Sequence, residues 1–174
     1  VLSDGPDSAH AQLSLFRNRA YLNFEQGRPA AALNDAQQAQ ALEPEPELAL
    51  LRLKALASLA NFEAVEREGQ GLLERAAGFP ALDNRQQAQV LLVLGRIRCQ
   101  QEKYDLAIQA LDAALAKEPA LAEAYYLRGR AYHALGRQRT SLTNYLEYAR
   151  LEPRPPATFW ADLGQAAGAR GDYP

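Results

Sequence analysis

Apolar positions along the chain recur at the three-and-four spacing of amphipathic helices, in runs of helical length broken at regular intervals. Asp7 and Ser8 are placed to cap a first helix reaching about Gln26, and Gly27 ends it. Pro29 sits where a first-turn proline belongs, so Ala30 to Leu42 reads as a second helix, stopped by Glu43-Pro44-Glu45-Pro46. A third follows to about Leu59, and Ala60-Asn61 turns into a fourth from Phe62 to about Arg75. The stretch Ala76 to Asp83, with Gly78 and Pro80, is the longest irregular connection expected. Asp83 or Asn84 then caps a fifth helix to about Gln101. A sixth spans Tyr104 to Lys117 and a seventh Ala120 to Leu135, closed by Gly136. An eighth runs from Gln138 to Leu151, and a ninth from Ala157 to Arg170, ending at Gly171. Nine helices and no strand are predicted.

Composition strengthens the all-α reading. Of 174 residues, 34 are Ala and 28 Leu, whereas Val, Ile and Thr together number 9, too few to build sheets. No apolar run approaches the length needed to cross a bilayer; the strongest, Leu48 to Leu51, stops at Arg52. A net charge of -2 argues against a general nucleic-acid surface. The single cysteine, Cys99, excludes an intrachain disulfide and any cysteine-based metal site, and is read as a small, buried or half-buried filler. His10 and His133 are far apart in sequence, and no metal or other cofactor is implied. The chain contains no methionine, so Val1 is not the translated start; a removed leader or a piece of a longer protein is expected. Arg makes up 16 of the 19 basic residues, which with the high Ala content points to a GC-rich bacterial source.

The helices also repeat. Pro119 and Pro153 are separated by the same interval, 34 residues, as Gly95 and Gly129, Ala107 and Ser141, Leu111 and Tyr145, and Leu115 and Ala149. Trp160, Leu163 and Gly164 follow the pattern W-x₂-L-G; Tyr125, Gly129 and Tyr132 follow it one unit earlier, with Arg128 where Leu is usual. Leu91, Leu94 and Gly95 continue to Ala107, Leu111 and Pro119, and Ala20, Gly27, Ala32, Ala39 and Pro44 agree in the first copy. In these residues the chain resembles the tetratricopeptide repeat family. The resemblance implies a right-handed α-α superhelix of four and a half helix–turn–helix repeats, over residues 13–45, 46–79, 88–121, 122–155 and a partial 157–174. Tyr173 would stand at the turn of the fifth, whose second helix is expected beyond the sequence. Small residues (Ala20, Gly95, Gly129, Gly164) are expected to let helices approach, and large ones (Phe16, Leu91, Tyr125, Trp160) to fill the space between layers. Leu91, Leu94, Leu111, Tyr125, Tyr132 and Tyr145 are the predicted core.

Enzyme signatures are missing: there is no G-x-S-x-G, no phosphate-binding loop and no H-E-x-x-H. The resemblance implies instead that the first helix of each pair lines a concave groove holding a peptide. Tyr21, Lys54, Arg96, Arg130 and Gln165 are equivalent groove positions, three of them basic in succession. Arg17, Leu50, Leu92 and Tyr126 lie one turn earlier, and Phe24, Ala57, Cys99 and His133 one turn later. Arg17, Tyr21, Lys54, Arg96, Tyr126, Arg130 and His133 are therefore the candidate partner-binding residues, suited to an acidic or C-terminal-carboxylate peptide or an anionic polysaccharide. The Lys/Asn carboxylate clamp of chaperone-binding relatives is missing, because Tyr21 replaces the expected Asn. The expected role is a non-catalytic interaction scaffold or assembly factor, with a bacterial cell-envelope or exopolysaccharide-export setting as one version. The alternative is the substrate-presenting part of a larger enzyme such as a glycosyltransferase. Periplasm and cytoplasm both fit.

Overall fold

The computed structural model describes residues 6–74 and 81–168, and these contain nine helices and no strand. They are α1 (Pro6–Glu25), α2 (Pro29–Leu42), α3 (Pro46–Ser58), α4 (Phe62–Leu73), α5 (Asn84–Gln100), α6 (Tyr104–Lys117), α7 (Ala122–Ala134), α8 (Gln138–Leu151) and α9 (Ala157–Gly168). Most of the connection expected at Ala76 to Asp83, and the ends at Arg170, Gly171 and Tyr173, lie outside the described residues. The chain divides into two compact units, residues 1–93 and 94–174, with the boundary inside α5.

Sequence chemistry sets the helix ends. Pro29 and Pro46 open α2 and α3 at a position whose N–H would have no helical partner in any case. Asn61 caps α4, its side chain accepting from the Ala64 N–H at 3.3 Å. Asp83 Oδ1 accepts from the Gln86 N–H at 2.7 Å while the Gln86 side chain accepts from the Asp83 N–H at 3.0 Å, a reciprocal cap before α5. Each first helix of a pair closes in the same way. Gly27, Ala60, Glu102 and Gly136 adopt positive φ, and the following N–H reaches back to a carbonyl five residues earlier, as from Arg28 to Asn23 and Arg137 to Tyr132. Glycine enters that backbone region freely; Ala60 and Glu102 pay a steric penalty there.

In unit 1, α1 packs on α2, α2 on α3 and α3 on α4, around a core including Leu13, Ala20, Ala36, Ala39, Leu48 and Leu51. In unit 2, α6 packs on α7, α7 on α8 and α8 on α9. Its last layer is aromatic: Tyr145, Tyr148 and Phe159 are buried together, with Phe159 4.9 Å from Tyr148 and 5.9 Å from Tyr145 between ring centroids. Gly95 and Gly129 permit the close helix approach. A Cβ on Gly95 would lie 2.7 Å from Leu111, and one on Gly129 would lie 2.7 Å from the Tyr145 ring. Ser141, one step from Tyr145 along α8, donates to the Gly129 carbonyl at 2.8 Å.

Leu94, Leu111 and Tyr145 are buried as expected; Leu91, Tyr125 and Tyr132 are half-buried. Trp160 departs from expectation. It is 54% exposed, and its neighbour Phe159 is the fully buried aromatic of α9. Trp160 holds the place of Tyr125, which packs toward its own repeat's second helix, α8; Phe159 holds the place that faces the preceding second helix.

Arg128, noted in the sequence as a substitute for Leu, is not a defect. Its Nε donates to Asn144 at 2.7 Å and its Nη1 to Asp112 at 2.5 Å, with the guanidinium 5.3 Å above the Tyr125 ring. Arg19 and Arg52 hold the same place in their repeats. Arg19 grips Asp35 at 2.8 and 2.5 Å, and Arg52 reaches Glu68 at 3.1 Å and Gln40 at 2.6 Å. The residue sixteen positions on, in the same repeat's second helix, is the partner in all three.

Candidate functional site

The candidate residues fall into the two units, and each set is described within its own. In unit 1, Arg17 and Tyr21 stand one turn apart on α1, and Arg17 Nη1 donates to Glu45 at 2.8 Å. Partial burial, together with Glu47 and Glu45 nearby, pushes the Tyr21 phenol above its ordinary range. Lys54 is half-buried on α3.

Unit 2 brings Arg96, Tyr126, Arg130 and His133 around two adjoining cavities. The first, of 280 Å³, is lined by Arg96, Cys99, Gln100, Glu123, Tyr126, Leu127 and Arg130. The second, of 220 Å³, adds Tyr104, Ala131, His133, Ala134, Tyr145, Asp162 and Gln165. Cys99 and Arg130 line both. The α5 and α7 helices supply the wall because helix positions three and four apart share a face, so Arg96 and Cys99, and Tyr126, Arg130 and His133, project to one side.

Arg96 and Arg130, two of the three basic residues expected to form a cationic line, are opposed by carboxylates on the next first helix. Arg96 donates to Glu123. Arg130 lies 3.9 Å from Asp162 and 5.9 Å above the Tyr126 ring, and the Tyr126 hydroxyl donates to the same Asp162 carboxylate at 2.7 Å. Arg17 with Glu45 repeats this arrangement in unit 1. In unit 2 the wall thus carries ion pairs bridging successive repeats, in place of a row of like charges. Arg130 is the loosest of these, with its side chain 56% exposed. Burial, then the Asp162 carboxylate, raises the Tyr126 phenol; burial raises the Cys99 thiol, offset in part by Arg130. His133 Nδ1 is buried without a hydrogen-bond partner among the described residues.

Two expectations change. Leu92, placed on the groove wall beside Leu50 and Tyr126, is buried, whereas those two are half-buried. Glu123 and Asp162 were not among the candidates and join them. Arg17 and Glu45 are 28 residues apart and Arg96 and Glu123 are 27 apart, but Arg130 and Asp162 are 32 apart, so no single spacing marks these pairs in the sequence. Among the described residues no group of His, Cys, Asp and Glu is arranged to hold a metal ion, and no helix is long and apolar enough to cross a membrane.

A family model described as TPR repeat matches residues 95–136, and one described as Tetratricopeptide repeat matches residues 122–155. These residues are tetratricopeptide repeats. Solved structures extend the likeness along the chain. The MamA RS-1 ArsTM double mutant is 23% identical, with a TM-score of 0.71 over 99% of this chain and 88% of that one. MamA 41-end from Desulfovibrio magneticus RS-1 is 22% identical, with a TM-score of 0.71 over 99% and 89%. A further MamA crystal structure is 19% identical, with a TM-score of 0.65 over 92% and 83%. At these identities the likeness establishes a shared fold. No curated protein sequence matches significantly. Tetratricopeptide repeats stack so that each contacts its neighbours, and the surface left by the first helices is the one such arrays offer to partners.

Proposed function

We propose that the chain is a non-catalytic protein-binding domain that holds an extended peptide against the first-helix wall. Arg96, Tyr126, Arg130 and His133 form the wall of unit 2, and Arg17, Tyr21 and Lys54 form a separate stretch in unit 1. The observation that carries this reading is the pair of adjoining cavities sharing Cys99 and Arg130, open beside carboxylates and guanidinium groups of successive repeats. An extended peptide has donors and acceptors along its backbone, and a wall of alternating acids and bases offers partners to both. Arg130, held only loosely by Asp162, is suited to an acidic side chain of the ligand. Leu127 and Cys99 give an adjacent apolar floor.

The test uses acidic and neutral peptide libraries against the full chain, with Cys99 as an internal reporter. A bound peptide slows alkylation of this thiol and favours sequences with an acidic residue. Arg130→Gln removes that preference while circular dichroism stays unchanged. Equal binding by wild type and an Arg96→Gln, Arg130→Gln variant, with no protection of Cys99, removes the unit 2 wall as the binding site.

A further inference from the structure

The two ion pairs on the wall of unit 2 are made differently. Arg96 and Glu123 are in direct hydrogen-bond contact. Arg130 approaches the Asp162 Oδ2 only to 3.9 Å, beyond hydrogen-bond range, with its guanidinium 5.9 Å above the Tyr126 ring. Asp162 has a second partner. The same Oδ2 accepts from the Tyr126 hydroxyl at 2.7 Å, and Thr158, one turn earlier on α9, hydrogen-bonds that hydroxyl in turn. The acid is also the more enclosed member, its side chain 29% exposed against 56% for Arg130, so the base is the one free to turn away. Arg130 and Asp162 both line the second cavity, and Arg130 lines the first as well.

We propose that Asp162 is a built-in competitor for Arg130: an acidic group of the bound peptide takes the guanidinium from it, and the Tyr126 hydroxyl keeps the released carboxylate partnered. This rests on the reading of the wall as a peptide-binding surface. Separating an ion pair is costly when it leaves a partly buried charge alone. Here the 2.7 Å bond from Tyr126 remains after Arg130 has turned to the ligand. At Arg96 an incoming acid has to break a hydrogen bond already made to Glu123, whereas at Arg130 there is none to break. Arg130 is thus the residue that selects for an acidic ligand, and Asp162 sets how much that selection is worth. Because the pair is neutral before the exchange, it draws no acidic ligand from a distance. Discrimination arises at contact, where a charge-assisted hydrogen bond to the ligand replaces the longer approach to Asp162.

The probes are iodoacetate and iodoacetamide, reacting with Cys99 of the full chain, the single cysteine and a residue of both cavities. Both reagents attack the same thiolate, so the ratio of their rates cancels the thiolate fraction and reads how well the site receives an anion. Asp162→Asn keeps an acceptor for the Tyr126 hydroxyl and should raise the iodoacetate-to-iodoacetamide ratio about two- to fivefold. Tyr126→Phe keeps the ring, leaves Asp162 to Arg130 alone, and should lower it. In an Arg130→Gln background the effect of Asp162→Asn should shrink to about half or less, because the guanidinium it releases is gone. Equal effects in both backgrounds overturn the proposal, since Asp162 then acts through space alone. A lowered ratio in Asp162→Asn also overturns it, as the result expected if Asp162 holds Arg130 in place for anions. Acidic and neutral peptides on the same variants separate the competition from the reading beneath it. Asp162→Asn should tighten the acidic ones by the same factor and leave the neutral ones unchanged. Protection of Cys99 by acidic peptides that Asp162→Asn does not alter overturns the competition and keeps the binding site. Absence of protection in every variant overturns both.

Discussion

Replacing Gly129 by alanine sets two effects against each other, and the structure decides between them. Alanine in a helix interior is favoured over glycine by about 1 kcal/mol. The new methyl, however, would lie 2.7 Å from two carbons of the Tyr145 ring and 3.4 Å from the Asn144 Cβ. Carbon atoms sit comfortably at about 3.5–4.0 Å, so the ring must retreat by roughly 1 Å. It has little room: Tyr145 is fully buried, with Tyr126 and Phe159 at 6.0 and 5.9 Å between centroids. Overpacking of this kind costs about 1–3 kcal/mol, which leaves a net loss of about 1 kcal/mol. Gly71 is the control. It lies in α4, and a Cβ there meets nothing within 4 Å, so Gly71→Ala should stabilise by about 0.5–1 kcal/mol. Urea denaturation followed by circular dichroism, with the slope m checked for constancy, measures both. If Gly129→Ala stabilises the chain as much as Gly71→Ala does, close packing at the α7–α8 crossing is not what glycine provides.

Asp35 is buried and accepts from Arg19 and Asn23; the Arg19 hydrogen bond leads in holding its carboxyl below the usual range, against desolvation that raises it. A depressed folded-state pKa means that the unfolded chain binds the proton more readily. This contribution to stability is therefore complete above the ordinary carboxylate pKa and is lost as pH falls through the folded value. Asp35→Asn should flatten the decline of melting temperature below about pH 4, the ordinary range for Asp; an unchanged acid profile would refute the assignment. At the helix ends, Ala60→Gly and Glu102→Gly should each relieve about 1 kcal/mol of left-handed backbone strain, part of it returned to unfolded-state entropy. Gly27→Ala and Gly136→Ala should lose stability by the same mechanism, and thermal melts of the four variants read the sign.

The helices were legible because their limits are written in residues with few conformational options. Pro29, Pro46, Gly27 and Gly136 allow little else, and Asp83 with Gln86 forms a cap recognisable from spacing. Ala60 and Glu102 carry no such mark: the break in the apolar pattern places their turns, but the left-handed backbone at these two residues is visible only in the fold. Trp160 was assigned by pattern to the filled space between layers, but a letter pattern does not say which neighbouring helix is present to cover a given side. The candidate site was legible as positions and not as electrostatics. Arg96 and Arg130, expected on one face, line one cavity of unit 2, whereas their pairing with Glu123 and Asp162 depends on how far one first helix stands from the next. That distance comes from stacking, which no local spacing contains.

The arginines at positions 19, 52 and 128 have a consequence for how the repeats find their alignment. Helices faced with Ala and Leu can slide past one another by a turn and still bury similar apolar area, so hydrophobic contact alone discriminates poorly between alignments. Guanidinium bonds are directional, and each of these arginines spans to a partner sixteen residues away in the second helix of its own repeat. A slip of one turn would separate every such pair and leave a half-buried charge facing aliphatic carbon. Leucine, which the third repeat keeps at this position as Leu94, packs without that discrimination. Three of the four complete helical pairs thus carry a polar ruler across their own hairpin. Its value would show less in equilibrium stability than in how rarely the chain folds into a shifted pairing.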